Sequence, residues 1–203
     1  MEQENVLDKT IGKFSAKADT IQAIIIALIA LLVPTFLAQL IQIIFGEGSL
    51  IADKSQLIVG SVVNTALIVA AINIKGWKKI VGIITMPSIS TVLSGYVFGS
   101  ASTYMVYMIP AIWIGNFALI FAYKFLMLEK GLNYFVAGIV GVFVKVLIIF
   151  GFFEFLTLFN VFPEAMISTF QLAMGAVQAI TATIGVLISF VIYEIEKRKI
   201  KNN

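Results

Sequence analysis

One lysine lies in the middle of a long apolar stretch. Lys145 follows Leu132 by 13 residues, which is about 20 Å along an α-helix at roughly 1.5 Å per residue. An ammonium group at that depth in a bilayer is costly, so it needs a polar partner or a cavity. We therefore predict that Lys145 binds an anionic group of a substrate. Two structural alternatives stay open: pairing with a buried oxygen atom, or snorkelling from a shifted helix.

A carboxylate and two amides also fall within apolar stretches. Glu154 lies nine residues after Lys145, half a turn out of phase at about 100° per residue, so the two side chains do not face each other on a straight helix. Glu154 is a candidate substrate-binding residue, or a residue near the helix end that reaches water. Asn64 and Asn116 must find hydrogen-bond partners if they are buried. Both are candidates for substrate binding, with helix–helix hydrogen bonding as the alternative.

A polar stripe is predicted on the last apolar segment. Gln171 and Gln178 are seven residues apart, so on one helix they share a face, and Thr181 lies near that face. A polar stripe on a membrane helix usually points inward, toward a pocket or a neighbouring helix. The two glutamines are therefore expected to face a pocket or a neighbouring helix.

Small residues repeat on the first apolar segment. Ala23, Ala27 and Ala30 are spaced by four and three residues, a pattern that allows helices to approach closely. The pattern predicts either docking to another membrane protein or packing inside the chain.

The composition indicates that the chain faces membrane lipid. Of 203 residues, 60% are hydrophobic and 12% are charged, whereas a soluble domain carries about 25% charged residues. The sequence has no Cys and no His, which removes thiolate and imidazole metal ligation as well as Cys–His and Ser–His catalysis. We predict that the chain is not an enzyme and has no cofactor and no metal site. A Ser–Lys arrangement using Ser88, Ser90 or Ser94 stays open as catalytic chemistry.

Six apolar stretches are long enough to cross a bilayer, which takes about 20 residues: 21–45, 57–74, 80–98, 104–128, 132–159 and 165–193. They predict an all-α, polytopic membrane protein with six transmembrane helices over residues 21–193. The third stretch carries Pro87 inside a polar run, which favours a kinked helix lining an interior over a re-entrant loop. Residues 1–20 are predicted to form a cytoplasmic N-terminal segment, and residues 194–203 a basic cytoplasmic tail.

Basic residues are distributed unevenly between the ends of these segments. With the N-terminus inside, twelve of the fourteen basic residues lie on the inner side, Lys54 lies outside, and Lys145 lies within a helix. This bias follows the positive-inside rule and predicts that both termini are cytoplasmic. Membrane orientation thus explains the net charge of +3, and no nucleic-acid partner is expected.

These features together resemble the S components of energy-coupling factor transporters, which are small six-helix membrane proteins that bind a vitamin or similar solute. Residues 23–27 (Ala-Ile-Ile-Ile-Ala) are similar to the AxxxA docking motif of that family, and residues 93–99 form a small-residue run that closes the third segment. More closely, the chain looks like a clostridial group of S-component-like proteins of unknown solute. Residues 62–66, 109–116 and 144–146 have counterparts in that group.

The resemblance implies a function, partners and a site. Members of the family dock on a shared module of one membrane subunit and two ATPases, and they bind solute near the outer side. The resemblance implies a solute-binding subunit in the plasma membrane of a bacterium, with Ala23, Ala27 and Ala30 as docking residues. Residues 46–54 are then expected to form a mobile lid. The implied substrate-binding residues are Asn116, Lys145, Glu154, Gln171 and Gln178, with Trp113 as an apolar or stacking wall.

Two other functions stay open. An autonomous small carrier or channel would use Lys145 to set a preference for anions. A non-transport accessory protein would anchor or assemble a membrane enzyme. The sequence contains no G-x-x-x-x-G-K-[ST] motif, so ATP-driven uptake would take its energy from a partner.

Overall fold

The computed structural model describes residues 5–12, 15–46, 55–94 and 103–202, and within these ranges it contains helices and no strand. The all-α prediction is confirmed. Lys13, Lys54, the predicted lid beyond Gly46 and most of the small-residue run 93–99 lie outside the described residues. The helices are α1 (Ala16–Leu32), α2 (Ala38–Phe45), α3 (Ser55–Asn73), α4 (Trp77–Ser94), α5 (Met105–Ala122), α6 (Tyr134–Thr157), α7 (Glu164–Met174) and α8 (Ala176–Asn202).

The protein is a multi-pass membrane protein. Large apolar side chains on the outside of the bundle, such as Ile139 (71% exposed) and Phe143 (67% exposed), require lipid around them. The helix α4 occupies the third predicted segment and is less apolar, because it carries two lysines and the polar residues around Pro87. Five helical runs in the described ranges are long and apolar enough to cross a bilayer: Ala16–Phe45, Ser55–Asn73, Met105–Glu129, Tyr134–Thr157 and Glu164–Asn202.

Three of the predicted segments are irregular, and in the fourth segment α5 continues into a π-helical stretch, Tyr123–Glu129. A π-helical turn, Val33–Leu37, joins α1 to α2, and Pro34 within it cannot donate a backbone hydrogen bond. The sixth predicted segment is divided at Gly175, whose backbone leaves the helical conformation between α7 and α8. A Cβ atom at Gly175 would lie 3.0 Å from the carbonyl oxygen of Gln171 and 3.1 Å from the ring of Phe150. A glycine at this position therefore permits the close packing at the break.

The long helices pack as a closed ring. In order around the ring, α1 contacts α4, α4 contacts α5, α5 contacts α6, α6 contacts α8, α8 contacts α3, and α3 returns to α1. Glycines permit the closest approaches. A Cβ atom at Gly60 of α3 would lie 2.9 Å from Thr181 of α8, and one at Gly115 of α5 would lie 2.9 Å from Ile149 of α6. The ring leaves an interior space that small residues and polar side chains line.

The predicted docking alanines face this interior. Ala23 is 6% exposed and Ala30 is fully buried, while Ala27 packs against the core. The outward face of α1 instead carries Ile24 and Leu28. Ala23 and Ala30 thus pack inside the chain in this structure, and docking to another membrane protein through these alanines stays a prediction. The spacing of small residues identifies a close-packed face but not which neighbour it meets.

One end of the ring, which we call the basic end, is where α1 and α4 begin and α3 reaches Asn73. The N-terminal residues are bound to it: Ile11 donates its backbone N–H to the Ile72 carbonyl at 3.0 Å, and the Leu7 carbonyl accepts one from Gly76 at 3.2 Å. The predicted segment 1–20 thus contacts this end of the bundle over its described residues, and α1 already begins within it at Ala16. At the other terminus α8 continues to Asn202, so the predicted tail 194–203 is helical where it is described.

Candidate functional site

A cavity of about 80 Å³ lies inside the ring, in the half away from the basic end. One water molecule needs roughly 10–15 Å³ on the same measure, so the cavity has room for several waters or a small solute. One part of its lining is apolar and the other carries amides, hydroxyls and a single ammonium group. The polar lining side chains are Gln56, Asn64, Ser88, Thr91, Asn116, Lys145, Gln178 and Thr181.

The ammonium group belongs to Lys145, which is 2% exposed. Lys145 lies near the middle of α6, between Tyr134 and Thr157, about 16–18 Å from either end of that helix at roughly 1.5 Å per residue. Its Nζ atom donates one hydrogen bond, to Oδ1 of Asn64 at 2.5 Å. Within the described ranges no carboxylate forms an ion pair with it. Because an ammonium group has three N–H donors, Lys145 has donor capacity left for a ligand in the cavity.

Asn64 is held in place by two further hydrogen bonds. Its Nδ2 atom donates to the Gly60 carbonyl at 2.8 Å and to Oγ1 of Thr181 at 3.3 Å. Thr181 in turn donates to the carbonyl of Gln178 at 3.2 Å. The Asn64 amide must present its oxygen to Lys145, because an ammonium group cannot accept a hydrogen bond. The network joins α3, α6 and α8 and fixes the position of the Lys145 ammonium.

The opposite wall of the cavity is built by α4 and α5. Asn116 donates from Nδ2 to the Ile84 carbonyl at 3.3 Å, close to Pro87, where the backbone of α4 lacks a donor. Trp113 donates from Nε1 to Oγ of Ser88 at 2.7 Å. Ser88 lines the cavity, whereas Trp113, a predicted site residue, is not among the described lining residues. Trp113 is therefore a positioning residue for the wall in this structure.

The interpretation of the third segment as a helix lining an interior is confirmed. The helix α4 runs through Pro87 without a break, and Pro87, Ser88 and Thr91 all line the cavity. Thr91 donates to the Pro87 carbonyl at 2.8 Å, within the helix. These polar side chains and the proline thus face a cavity and not lipid, which is where a membrane helix tolerates them.

Two predicted site residues lie elsewhere. Glu154 and Gln171 are absent from the cavity lining and form a separate pair, with Nε2 of Gln171 3.4 Å from Oε1 of Glu154. Glu154 points away from the cavity because it is half a turn out of phase with Lys145. The predicted shared face of Gln171 and Gln178 is wrong, because the break at Gly175 interrupts the helical phase between them. Only Gln178 reaches the cavity.

Four polar lining residues had no predicted role in binding. Gln56 lies in the first turn of α3, directly after Ser55, and no spacing pattern in the sequence points to it. Ser88 and Thr91 belong to the polar run around Pro87, and that run is the signal that identifies them. Thr181 carries a similar signal, since it lies close in phase to Gln178 on one helix.

Among the described lining residues, Ser88 and Lys145 are each hydrogen-bonded to other groups. Ser88 donates to the Thr85 carbonyl at 3.1 Å and accepts from Trp113, while Lys145 is bonded to Asn64. The Ser–Lys arrangement that stayed open is not formed by these two residues. Among the described residues no group of three or more acidic side chains is placed to hold a metal ion.

Comparison with known protein families, with curated proteins and with solved structures yields no match to this chain. Function must therefore be argued from the site itself. That site is a small cavity in the interior of a membrane bundle, lined by both apolar and polar side chains, and the buried ammonium group of Lys145 lies in its wall.

Proposed function

We propose that the protein is the solute-binding membrane subunit of an ATP-driven uptake transporter of the energy-coupling factor type. In this proposal it captures a small vitamin-like or cofactor-precursor molecule. The observation that carries the proposal is Lys145, a buried ammonium group that lines the cavity with a single hydrogen-bond acceptor among the described residues. A buried charge without a counter-ion is costly. A polar solute that supplies acceptors to Lys145 would remove that cost and would be bound selectively.

The proposed direction of transport follows from charge and from the position of the cavity. Basic residues concentrate at the basic end, which the positive-inside rule assigns to the cytoplasm of a bacterial cell. Both termini are then cytoplasmic. The cavity lies in the other half of the bundle and would receive solute from outside the cell. Release into the cytoplasm would then require a rearrangement at the basic end.

The energy for uptake would come from partner subunits. The sequence has no nucleotide-binding motif of the P-loop type. The resemblance to S components supports a transmembrane coupling subunit and two ATPase subunits as these partners. Because Ala23 and Ala30 are buried in the chain's own core, a partner would have to dock on the lipid-facing surface of the bundle.

Native mass spectrometry of the gently purified protein in detergent tests the proposal. We expect a discrete small-molecule adduct on the wild type and its loss in Lys145→Met, because the substitution removes the ammonium group and keeps an unbranched side chain. Lys17→Met is the matched control, since Lys17 is exposed at the start of α1. The control should keep the adduct.

The other outcomes separate the alternative functions. A wild-type mass without an adduct contradicts solute capture, and a co-purified protein partner would then favour an accessory role. Accumulation of solute in liposomes by the purified chain without ATPases would instead favour an autonomous carrier.

A further inference from the structure

We infer that the solute is a small organic monocarboxylate, whose carboxylate oxygens accept hydrogen bonds from Lys145. This inference rests on the proposed function and specifies the substrate class for the same cavity. Three properties of the cavity lead to it: the number of charges in its wall, its volume, and the chemistry of the remaining lining.

The charge of the wall sets the charge of the solute. Among the described side chains that line the cavity, Lys145 is the single charged residue. A neutral solute would leave the ammonium group without a counter-ion, and a dianion would bring a second, uncompensated negative charge into the bundle. A phosphate monoester carries about 1.5–2 negative charges at neutral pH. One carboxylate matches the single ammonium group.

The volume favours a small solute. A cavity of about 80 Å³ exceeds the roughly 10–15 Å³ that one water molecule needs, so it has room for more than one water or for a small organic group. A carboxylate with a short body suits such a space.

The remaining lining indicates an uncharged body with some polarity. Asn116 and Gln178 contribute amides, while Met105 and Ile112 contribute apolar surface. Amide groups orient hydroxyl or carbonyl groups by hydrogen bonds, and the apolar side chains favour short hydrocarbon parts. A charged substituent on the body would find no opposite charge among the lining residues.

Equilibrium dialysis of the purified wild-type protein against matched pairs of compounds tests the inference. The probes are butyrate, lactate and isovalerate, each in competition with its own amide, which keeps the shape and removes the charge. We expect at least one carboxylate to be retained about 10- to 100-fold more strongly than its amide, the factor that a charge-assisted hydrogen bond gives. The preference should disappear in Lys145→Met and persist in Lys17→Met.

The result on the wild type is decisive without the variants. Equal retention of carboxylates and amides, or retention of no carboxylate, overturns the inferred substrate class. A parallel dialysis against a deproteinised extract of the producing cells tests the proposed function separately. Retention of a neutral or cationic metabolite from the extract would support solute binding and contradict the carboxylate class. Retention of nothing would contradict both the proposed function and the inferred substrate class.

Discussion

Alanine at Gly185 should push apart the two helices that hold the binding network together. A Cβ atom built at Gly185 of α8 would lie 2.6 Å from Cβ of Asn64 on α3, and ordinary contact begins at 3.4 Å. The two helices would therefore have to separate by about 0.8 Å, the difference between these distances. The nearest other atoms belong to the backbone of Asn64 and Thr65, so no flexible side chain can move aside.

The expected loss of stability follows from the cost of overpacking, which is about 1–3 kcal/mol. For a chain of this size, each kcal/mol shifts the unfolding temperature by about 2–4 °C. Gly185→Ala should therefore unfold about 2–12 °C below a matched variant in which alanine meets no atoms. Thermal unfolding in detergent, followed by tryptophan fluorescence, measures the difference. Because the shift also moves Asn64, the adduct seen by native mass spectrometry should weaken.

Gly151→Ala provides the matched control. Gly151 lies within α6, and no atom lies within 4 Å of a Cβ atom built there. Alanine favours a helix over glycine by roughly 0.5–1 kcal/mol at both positions, so this gain cancels in the comparison. If Gly185→Ala were as stable as Gly151→Ala and kept the adduct, the close approach of α3 and α8 and the role of Asn64 would both be refuted.

Two further predictions concern other parts of the bundle. Asp19 is 2% exposed and accepts hydrogen bonds from the Lys79 ammonium group and, at 2.9 Å, from the backbone N–H of Lys75. Asp19→Asn should therefore lower the free energy of unfolding by about 1.5–3 kcal/mol, as measured by thermal unfolding. An unchanged unfolding temperature would show that this contact does not hold the basic end. Trp113→Phe and Ser88→Ala should each remove the same hydrogen bond, so a double-mutant cycle should give a coupling of about 0.5–1.5 kcal/mol. Strictly additive losses would contradict that bond.

Several properties of the site could be predicted from local sequence. The depth of Lys145 in a long apolar run predicts its burial, because a helix converts residue number directly into distance along the membrane normal. The polar run around Pro87 predicts a helix that lines an interior, because lipid cannot satisfy its polar groups. The phase of Glu154 on the same helix predicts that it does not face Lys145. Each of these inferences uses a single helix and its surrounding lipid.

Other expectations failed where one residue changed the local geometry. The periodicity that joined Gln171 to Gln178 assumes a continuous helix, and the break at Gly175 removes that assumption. A glycine within an apolar segment does not by itself indicate a break in the helix, since Gly151 lies within a continuous helix. At Gly175 the ring of Phe150 would lie 3.1 Å from an added Cβ atom, a tertiary contact that is not encoded in spacing.

The sequence by itself determined that this is an all-α membrane protein, which long helices it has and which charged residue lies deep within them. These properties follow from hydropathy and helical rise, which act along one segment at a time. The tertiary structure decided which helices are neighbours, and hence that Asn64 is the partner of Lys145 and that Ala23 and Ala30 face inward. Between helices the pairing depends on the fit of side chains in three dimensions, and lipid is as apolar as the helix surfaces, so hydropathy cannot distinguish one neighbour from another.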